Sequence, residues 1–494
     1  MVNGSYGLTN EREDAMLKQI SLWLALSAVL TGLANAADYA EFTTPGLAKG
    51  QITHDDIAPL IRYYQQQDWL EVTELGRSVE QRPVYLFKIG QGERKVLAWS
   101  QMHGDEPTAT AAIFDLLAVL DAQQQAQADK DKDQDNSLTD WQQQITLYLI
   151  PMLNPDGAAR NSRYNALGID VNRDAVALQT PEGQMLMQAA KQIKPHYGFN
   201  LHDQNRYHGA GDNKKPATIS LLAPAYNEAR EINPSRHAAM QLISAVKPML
   251  DKAIPQQLGR YDDEYSVRSF GDTFSKMGIS TVLVEAGGNY NDPFRQQARQ
   301  LNLKLYLNWL ALISSGNYRD YDLSGYQAIP MNNSGGMKDL IISNISLPKA
   351  DSSGVLAKVD LAFNAGGNGR GSVVLDEIGD ASIYGAYHSV DASGLQYSAG
   401  KAYPLTKPLT LNTARYIQLL AEGYSHFSGK PDLLTNNSGL PVAINPPGVK
   451  SRWPQRRSST TFLLSNDNKV QLAVVHGRVI RLADASLLDA FGGN

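Results

Sequence analysis

The sequence predicts an α/β sheet covered on both faces by helices, followed by a smaller β-rich region. Three observations predict it. Between about residues 50 and 315, apolar runs of strand length alternate with longer segments of helical periodicity, the pattern of a sheet whose crossovers lie against its faces. Several of those runs end in polar residues, so one edge of the sheet collects them. Beyond about Ser315, Gly, Ser and Asn punctuate short apolar runs, and helical periodicity largely disappears.

The first residues stand apart from the fold. From Met16 the chain reads as a basic start, a short apolar core and the small-x-small site Ala34-Asn35-Ala36, the form of a signal peptide. We therefore expect residues 1–36 to be removed, with the true start at Met16 and export to the periplasm or the medium. No other apolar stretch reaches spanning length, so no membrane span is expected in the mature chain. Residues 37–315 are expected to form the first domain and 316–494 the β-rich one.

An acidic lead segment, 55–70, precedes strands at 84–89 and 96–100, which Gly90-Gln91-Gly92 is expected to join as a hairpin. The second strand runs into Gln101-Met102-His103-Gly104-Asp105-Glu106-Pro107, and a helix follows from Thr108, with Pro107 suited to its first turn. His103 and Glu106 thus lie on a strand-to-helix turn, where an imidazole and a carboxylate three residues apart can converge on one ion. Residues 129–140 alternate aspartates in the manner of a calcium loop. Gln134 replaces the glycine that loop needs, so a solvated surface loop is expected instead.

A strand at 145–150 leads to the turn Asn154-Pro155-Asp156-Gly157, then to Arg160, Arg163, Asn165 and Gly168-Ile169-Asp170-Val171-Asn172-Arg173-Asp174. Thr180-Pro181-Glu182 has the cap-then-proline form of a helix start. Strand 197–201 ends at His202, a further strand lies near 218–222, and a long helix covers 234–254. The buried strand opening at Thr281 ends on Glu285, and Asp292-Pro293 opens a helix to about 314. In the β-rich region, runs at 340–345, 355–363, 372–375, 461–464 and 470–475, with one helical segment around 411–420, suggest a sandwich.

Composition narrows the chemistry. The chain has 494 residues, a formal net charge of -5 and no cysteine. There is no electrostatic footprint for nucleic acid. Disulfides and thiolates are excluded, so any zinc must rest on histidine and carboxylate, a donor set commoner in catalytic than in structural sites. His103, Glu106 and His202 would supply three ligands and leave a fourth position for water, with Glu285 placed to take that water's proton. Arg163 could stabilise charge developing on a carbonyl oxygen, Asn172 and Arg173 could clamp a carboxylate, and Asp170 could accept the free N–H of a ligating histidine. Of the other histidines only His208, six residues past His202, is a candidate for the same pocket.

On these motifs, from His103-x-x-Glu106 through Asn154-Pro155-Asp156-Gly157, Arg163, Gly168 to Arg173 and Leu201-His202 to Val284-Glu285, the chain resembles the M14 family of zinc carboxypeptidases over about residues 50–315. The resemblance implies a three-layer α/β/α sandwich around a mixed sheet and a single Zn²⁺ held by His103, Glu106 and His202. It also implies Glu285 as general base, Arg163 for the oxyanion, Asn172 and Arg173 for the substrate's terminal carboxylate, and Asp170 behind His103. The family's mobile tyrosine has two candidates here, Tyr261 and Tyr265. Arg268-Ser269-Phe270-Gly271-Asp272 is similar to the stretch near the side-chain pocket of bacterial members that cleave murein peptides, and Asp272 there could attract an amino-bearing side chain or be an ordinary turn aspartate.

The expected activity is removal of C-terminal residues from peptides. A murein peptide amidase and an N-acyl amino acid deacylase are rivals that would use the same metal site. An inactive peptide-binding module is the rival of another class, and Glu285 speaks against it, since binding alone needs no base.

Overall fold

In the computed structural model, residues 42–128, 140–351, 353–366, 372–446, 452–457 and 460–488 are described. The expected leader and nearly all of the 129–140 loop lie outside them. No helix of the described residues is long and apolar enough to cross a membrane.

The first unit is built on strands β1 (Leu70–Arg77), β2 (Pro83–Ile89), β3 (Arg94–Ser100), β4 (Ile145–Ile150), β5 (Tyr197–Asp203), β7 (Ile219–Leu222), β8 (Leu258–Arg260) and β9 (Ser280–Ala286), with a short β6 (Gly209–Ala210) outside the sheet. Their order is β1-β2-β4-β3-β5-β9-β7-β8. The β4-β3-β5-β9 core is parallel, while β1 and β2 join antiparallel at one edge and β7 runs antiparallel to β9, so the sheet is mixed. Side-chain alternation makes the layers. Val96 and Ala98 enter one core with the helices Thr108–Ala128, Pro234–Ala253 and Gln296–Ser315. Leu97 and Trp99 point the other way, into a core shared with Pro181–Ile193 and Phe270–Lys276. Helices on both faces of a mixed sheet are the three layers the sequence led us to expect.

The expected hairpin of 84–89 with 96–100 does not form. β4 inserts between the two strands, pairing antiparallel with β2 and parallel with β3. The Gly90–Gly92 link instead crosses over the chain entering β4: Gln91 N–H donates to Gln142 O, and a Cβ on Gly92 would fall 1.9 Å from Gln144 C. A glycine pair marks a close backbone approach as readily as a hairpin turn, and β2's antiparallel partner on its other side is β1, a strand just past the acidic lead segment that was not expected.

Helix starts follow their caps. Thr180 accepts from Gly183 N–H ahead of Pro181, and Asn233 accepts from Arg236 N–H ahead of Pro234. Asp292 accepts from the N–H groups of Gln296 and Gln297, fixing a start three residues past the expected Pro293.

A two-residue strand, β10 (Asn332–Asn333), pairs with β6 and ties the first unit to the second. The second unit carries β11 (Met337–Pro348), β12 (Val355–Ala365), β13 (Val373–Gly379), β14 (Gly385–Asp391), β15 (Gln396–Ser398), β16 (Lys401–Leu405), β17 (Leu409–Leu411), β18 (Tyr424–Gly429), β19 (Leu434–Asn436), β20 (Phe462–Asn466), β21 (Lys469–Val475), β22 (Arg478–Arg481) and β23 (Ser486–Leu488). β11 carries β12 and β13 on one edge and both β14 and β15 on the other, with β20 to β23 continuing from β15. Leu340, Phe363 and Leu375 from one half share a core with Tyr397, Phe462 and Val474 from the other, so the branched nine-stranded sheet closes over itself, beside two small parallel pairs, β16 with β18 and β17 with β19. The helix Thr413–Ala421 covers its outer face. The first core takes in residues as far as Ile329 and the second begins at Leu340, past the 315 limit expected from composition.

Candidate active site

His103 and Glu106 follow the C-terminal end of β3, His202 is near the end of β5, and Glu285 is near the end of β9, so three neighbouring parallel strands deliver them to one edge. His202 and Glu285 are register partners.

The turn holding His103 is fixed from several sides. Gln101 has a positive φ of 49°, and its amide donates to Ile52 O (2.8 Å) and Gly104 O (2.9 Å) while accepting from Thr110 Oγ1 (2.8 Å). Gly104 meets the Asn154–Gly157 turn so closely that a Cβ would fall 1.9 Å from Gly157 C. Asn154 binds both sides of that contact, donating to Met102 O (3.2 Å) and accepting from Gly157 N–H (2.9 Å). Asp156 is fully buried and accepts from Ser78 Oγ (2.8 Å), Glu80 N–H (2.9 Å) and Arg82 Nη1 (2.6 Å). The Asn-Pro-Asp-Gly motif therefore clamps the His103 turn against the rest of the fold.

His103 Nδ1 lies 2.8 Å from Glu106 Oε1, His202 Nδ1 lies 2.7 Å from Glu106 Oε2, and the two Nδ1 atoms are 3.1 Å apart. His103 Nε2 is 3.1 Å from Asp170 Oδ1. A carboxylate there can only accept, so Nε2 carries a proton and Nδ1 faces the centre, where its lone pair becomes available when that nitrogen is deprotonated. Asp203 N–H donates to Glu106 Oε2 (3.2 Å). Two imidazole nitrogens and a carboxylate converging in a buried place need a proton or a metal cation between them. Their ligand atoms all lie within 4.8 Å of one another, and no other such group occurs among the described residues. A nitrogen–nitrogen–carboxylate set suits Zn²⁺.

The electrostatics follow from this crowding. Burial pushes the Glu106 carboxyl up, but His103 and His202 outweigh it and hold it well below the usual carboxylate range. Burial lowers the His103 imidazole, and Glu106 with Asp170 reverse that, raising it to about 9. Glu285 is pushed well above its ordinary value by burial and by the Glu106 charge beside it.

The ring of donors opens into a cleft of about 440 Å³. His103, Glu106, Arg163, Asn172, Arg173, His202 and Glu285 all line it, so seven of the sequence candidates meet in one place, and Asp170 stands behind His103. Arg163 bonds Asp170 through Nε (3.0 Å) and reaches within 3.2 Å of His103 Nδ1. Asn172 Oδ1 accepts from Phe270 N–H (3.0 Å), which leaves its NH₂ for a ligand. Tyr261 lines the cleft, stacked on His208 with ring centroids 5.8 Å apart, whereas Tyr265 is not among the lining residues. Asp272 lines the cleft and also accepts from Ser266 N–H (2.9 Å) and Ser269 Oγ, so it is both a turn aspartate and a pocket residue.

Sequence reasoning passed over Asn200, Asp203 and Arg295. Asn200 sits two residues before His202 on the same face of β5, a spacing that alternation alone could have flagged. Arg295 pairs with Asp203 at 3.2 Å and left no motif to find.

A mixed sheet between helical layers with this donor set at its C-terminal edge defines a metallohydrolase of carboxypeptidase type. The profile of the zinc carboxypeptidase family matches residues 61–339, and the chain belongs to that family. Carboxypeptidase 2 of Trichophyton rubrum is 27% identical over 270 residues, covering 50% of this chain and 46% of that protein. A probable carboxypeptidase 2 of Trichophyton verrucosum is 28% identical over 200 residues, 39% of this chain and 34% of that one. The chain thus spans less than half the length of these curated relatives. Among solved structures, a metallo-carboxypeptidase from Burkholderia cenocepacia aligns at 19% identity with a TM-score of 0.41, covering 54% of this chain and 70% of that one. One from Pseudomonas aeruginosa aligns at 18% identity and a TM-score of 0.41, covering 53% and 69%.

Proposed function

We propose that the chain is a zinc-dependent carboxypeptidase that hydrolyses C-terminal peptide bonds. The observation that carries this reading is the convergence of His103 Nδ1, Glu106 and His202 Nδ1 in a cleft whose walls supply both a base and arginines. One Zn²⁺ bound by these residues would supply a Lewis acid that polarises the scissile carbonyl and lowers the pKa of the attacking water. Asn172 and Arg173 hold the substrate's terminal carboxylate, which orients the last peptide bond. Glu285 takes the proton of the attacking water and passes it to the departing amine. Arg163 meets the charge that develops on the carbonyl oxygen. Asp170 keeps the proton on His103 Nε2, and so keeps Nδ1 available. Tyr261 is the better candidate for the family's mobile tyrosine, because it lines the cleft.

The catalytic unit on this reading extends past the expected 315 limit to about Ile329 and the remainder is an accessory domain, with residues 1–36 a leader that sends the protein to the periplasm or medium. The test is incubation of the purified mature protein with a mixed peptide library, a murein digest and N-acyl amino acids, with and without chelator, followed by mass analysis. Loss of single C-terminal residues from peptides, abolished by chelator, supports the reading. Products only from murein peptides or only from acyl amino acids would replace it with one of the two rival hydrolases, and unchanged substrates throughout would leave a binding module.

A further inference from the structure

One ion pair joins the ends of the three strands that deliver the site, and the proposed chemistry gives it no part. Asp203 follows His202 on β5 with its side chain 4% exposed, and Arg295 Nη1, from the segment after β9, lies 3.2 Å from Asp203 Oδ2. The same oxygen accepts from Thr108 Oγ1 (2.7 Å) and Thr108 N–H (3.3 Å), two residues past Glu106. Arg295 Nη1 also donates to Ala286 O (2.9 Å), the carbonyl one residue after Glu285. Asp203 and Ala286 are themselves register partners in the sheet.

Each link bears on one member of the site. Thr108 opens the helix that follows the His103–Glu106 turn, so its two bonds to Asp203 hold that turn against β5. Asp203 N–H donates to Glu106 Oε2 (3.2 Å), the oxygen that also lies 2.7 Å from His202 Nδ1, and so sets how the carboxylate faces the ligand centre. The bond to Ala286 O fixes the end of β9, and with it the backbone that carries Glu285. Two further observations show that the pair is kept against local preference. Asp203 Oδ1 is buried without a hydrogen-bond partner, so the charge of this carboxylate rests on Arg295. Arg295 has φ 56°, in the left-handed region where glycine is favoured, although Asp292 already fixes the start of the helix Gln296–Ser315. An arginine at such a position is there for its side chain.

We propose that Arg295, acting through Asp203, is the positioning residue of the metal centre, locking the Glu106 turn and the Glu285 strand end in the register at which ligand set and base face one another. Removing Arg295 leaves a buried carboxylate uncompensated beside Glu106 and loosens all three strand ends together. The part concerning Glu285 rests on the carboxypeptidase reading; the part concerning the ligand set does not.

The test compares the full chain with Arg295→Met, Asp203→Asn and the double variant. Zinc affinity is measured by competition with a chromophoric chelator, and kcat and KM on a peptide that the unsubstituted protein hydrolyses. Arg295→Met should weaken zinc binding about tenfold or more. It should also lower kcat at least about tenfold with KM kept within about threefold, because Asn172 and Arg173 lie on a segment the pair does not touch. Since Arg295 acts through the Asp203 charge, the double variant should lose no more zinc affinity than Arg295→Met to within about threefold, instead of the product of the two single losses. If Arg295→Met fails to fold, the double variant, which strands no buried charge, is compared with Asp203→Asn, and an added loss under about threefold supports the proposal. Unchanged zinc affinity in both single variants, losses that multiply, or an effect on KM with kcat kept would each overturn it. Should the unsubstituted protein release no C-terminal residue from any peptide, the zinc measurements still decide this inference, and the carboxypeptidase reading alone falls.

Discussion

At the scale of single residues, the site follows from one conflict. Two imidazole nitrogens and a carboxylate are held within hydrogen-bond distance of each other in a buried place, an arrangement that needs a proton or a metal cation at its centre. Asp170 sets the conflict up by fixing the His103 proton on Nε2. Asp170→Ala should therefore weaken zinc binding about 10- to 100-fold, measured by competition with a chromophoric chelator. Glu285 lies outside the ligand set, so Glu285→Gln should lower kcat about 10²- to 10⁴-fold while zinc content is unchanged, and full turnover would remove its role as base. These residues were legible because the chemistry dictates residue types, and each ends an apolar run. Asn200 and Arg295 were not, because a buried amide or a paired arginine has many structural reasons to exist and only coordinates show which applies.

At the scale of elements, the ordered motifs divide between chemistry and support. Asp156 is fully buried against Arg82 and two other donors, and Asp156→Ala should cost about 1–3 kcal/mol in denaturant unfolding, since it leaves Ser78 Oγ and Glu80 N–H without their acceptor while Arg82 keeps Glu80. A loss under about 1 kcal/mol would show that the clamp on the His103 turn is not structural. The helix His54–Tyr64 gives a pH-dependent case. Partial burial pushes the Asp56 carboxyl up, but bonds from Lys49 and Thr53 outweigh it and hold it below 3.8. A depressed folded value stabilises above the ordinary carboxyl value and is lost as pH falls through the folded one. The stability difference between the unsubstituted protein and Asp56→Ala, full near about pH 6, should thus shrink below about pH 4. Strand and helix positions were readable from periodicity and caps, but strand order was not. The pairing of β2 with β4 is set by a strand more than fifty residues later in the chain, which no local pattern around Gly90–Gly92 reports.

At the scale of the whole molecule, the second unit supports the first near its site. Asn332 Nδ2 donates to Gln204 Oε1 (2.7 Å), Tyr207 O–H donates to Asp339 (2.5 Å), and Tyr387 O–H donates to Arg206 O (2.7 Å). Arg206 pairs with the buried Asp339 at 3.2 Å and lies 4.3 Å from the Tyr387 ring centroid. The segment following His202 is thus held from the β-rich side. Asp339→Ala should speed amide exchange across residues 204–210 in hydrogen-exchange mass spectrometry while β3 and β4 stay protected; equal loosening everywhere would mean a global effect instead. The β texture of this unit was visible in its composition, but its branched closure was not, because β11 alone, with partners along both edges, decides it.

The central claim is that His103, Glu106 and His202 hold one zinc ion on which hydrolysis depends. The most direct measurement is metal content and C-terminal residue release on a single preparation, first as purified, then after chelation, then after graded return of zinc, with His202→Ala alongside. The account predicts activity rising in step with zinc to one equivalent per chain, and neither tight zinc nor turnover in His202→Ala. Full turnover in metal-free protein, or unaltered zinc affinity in His202→Ala, would contradict it.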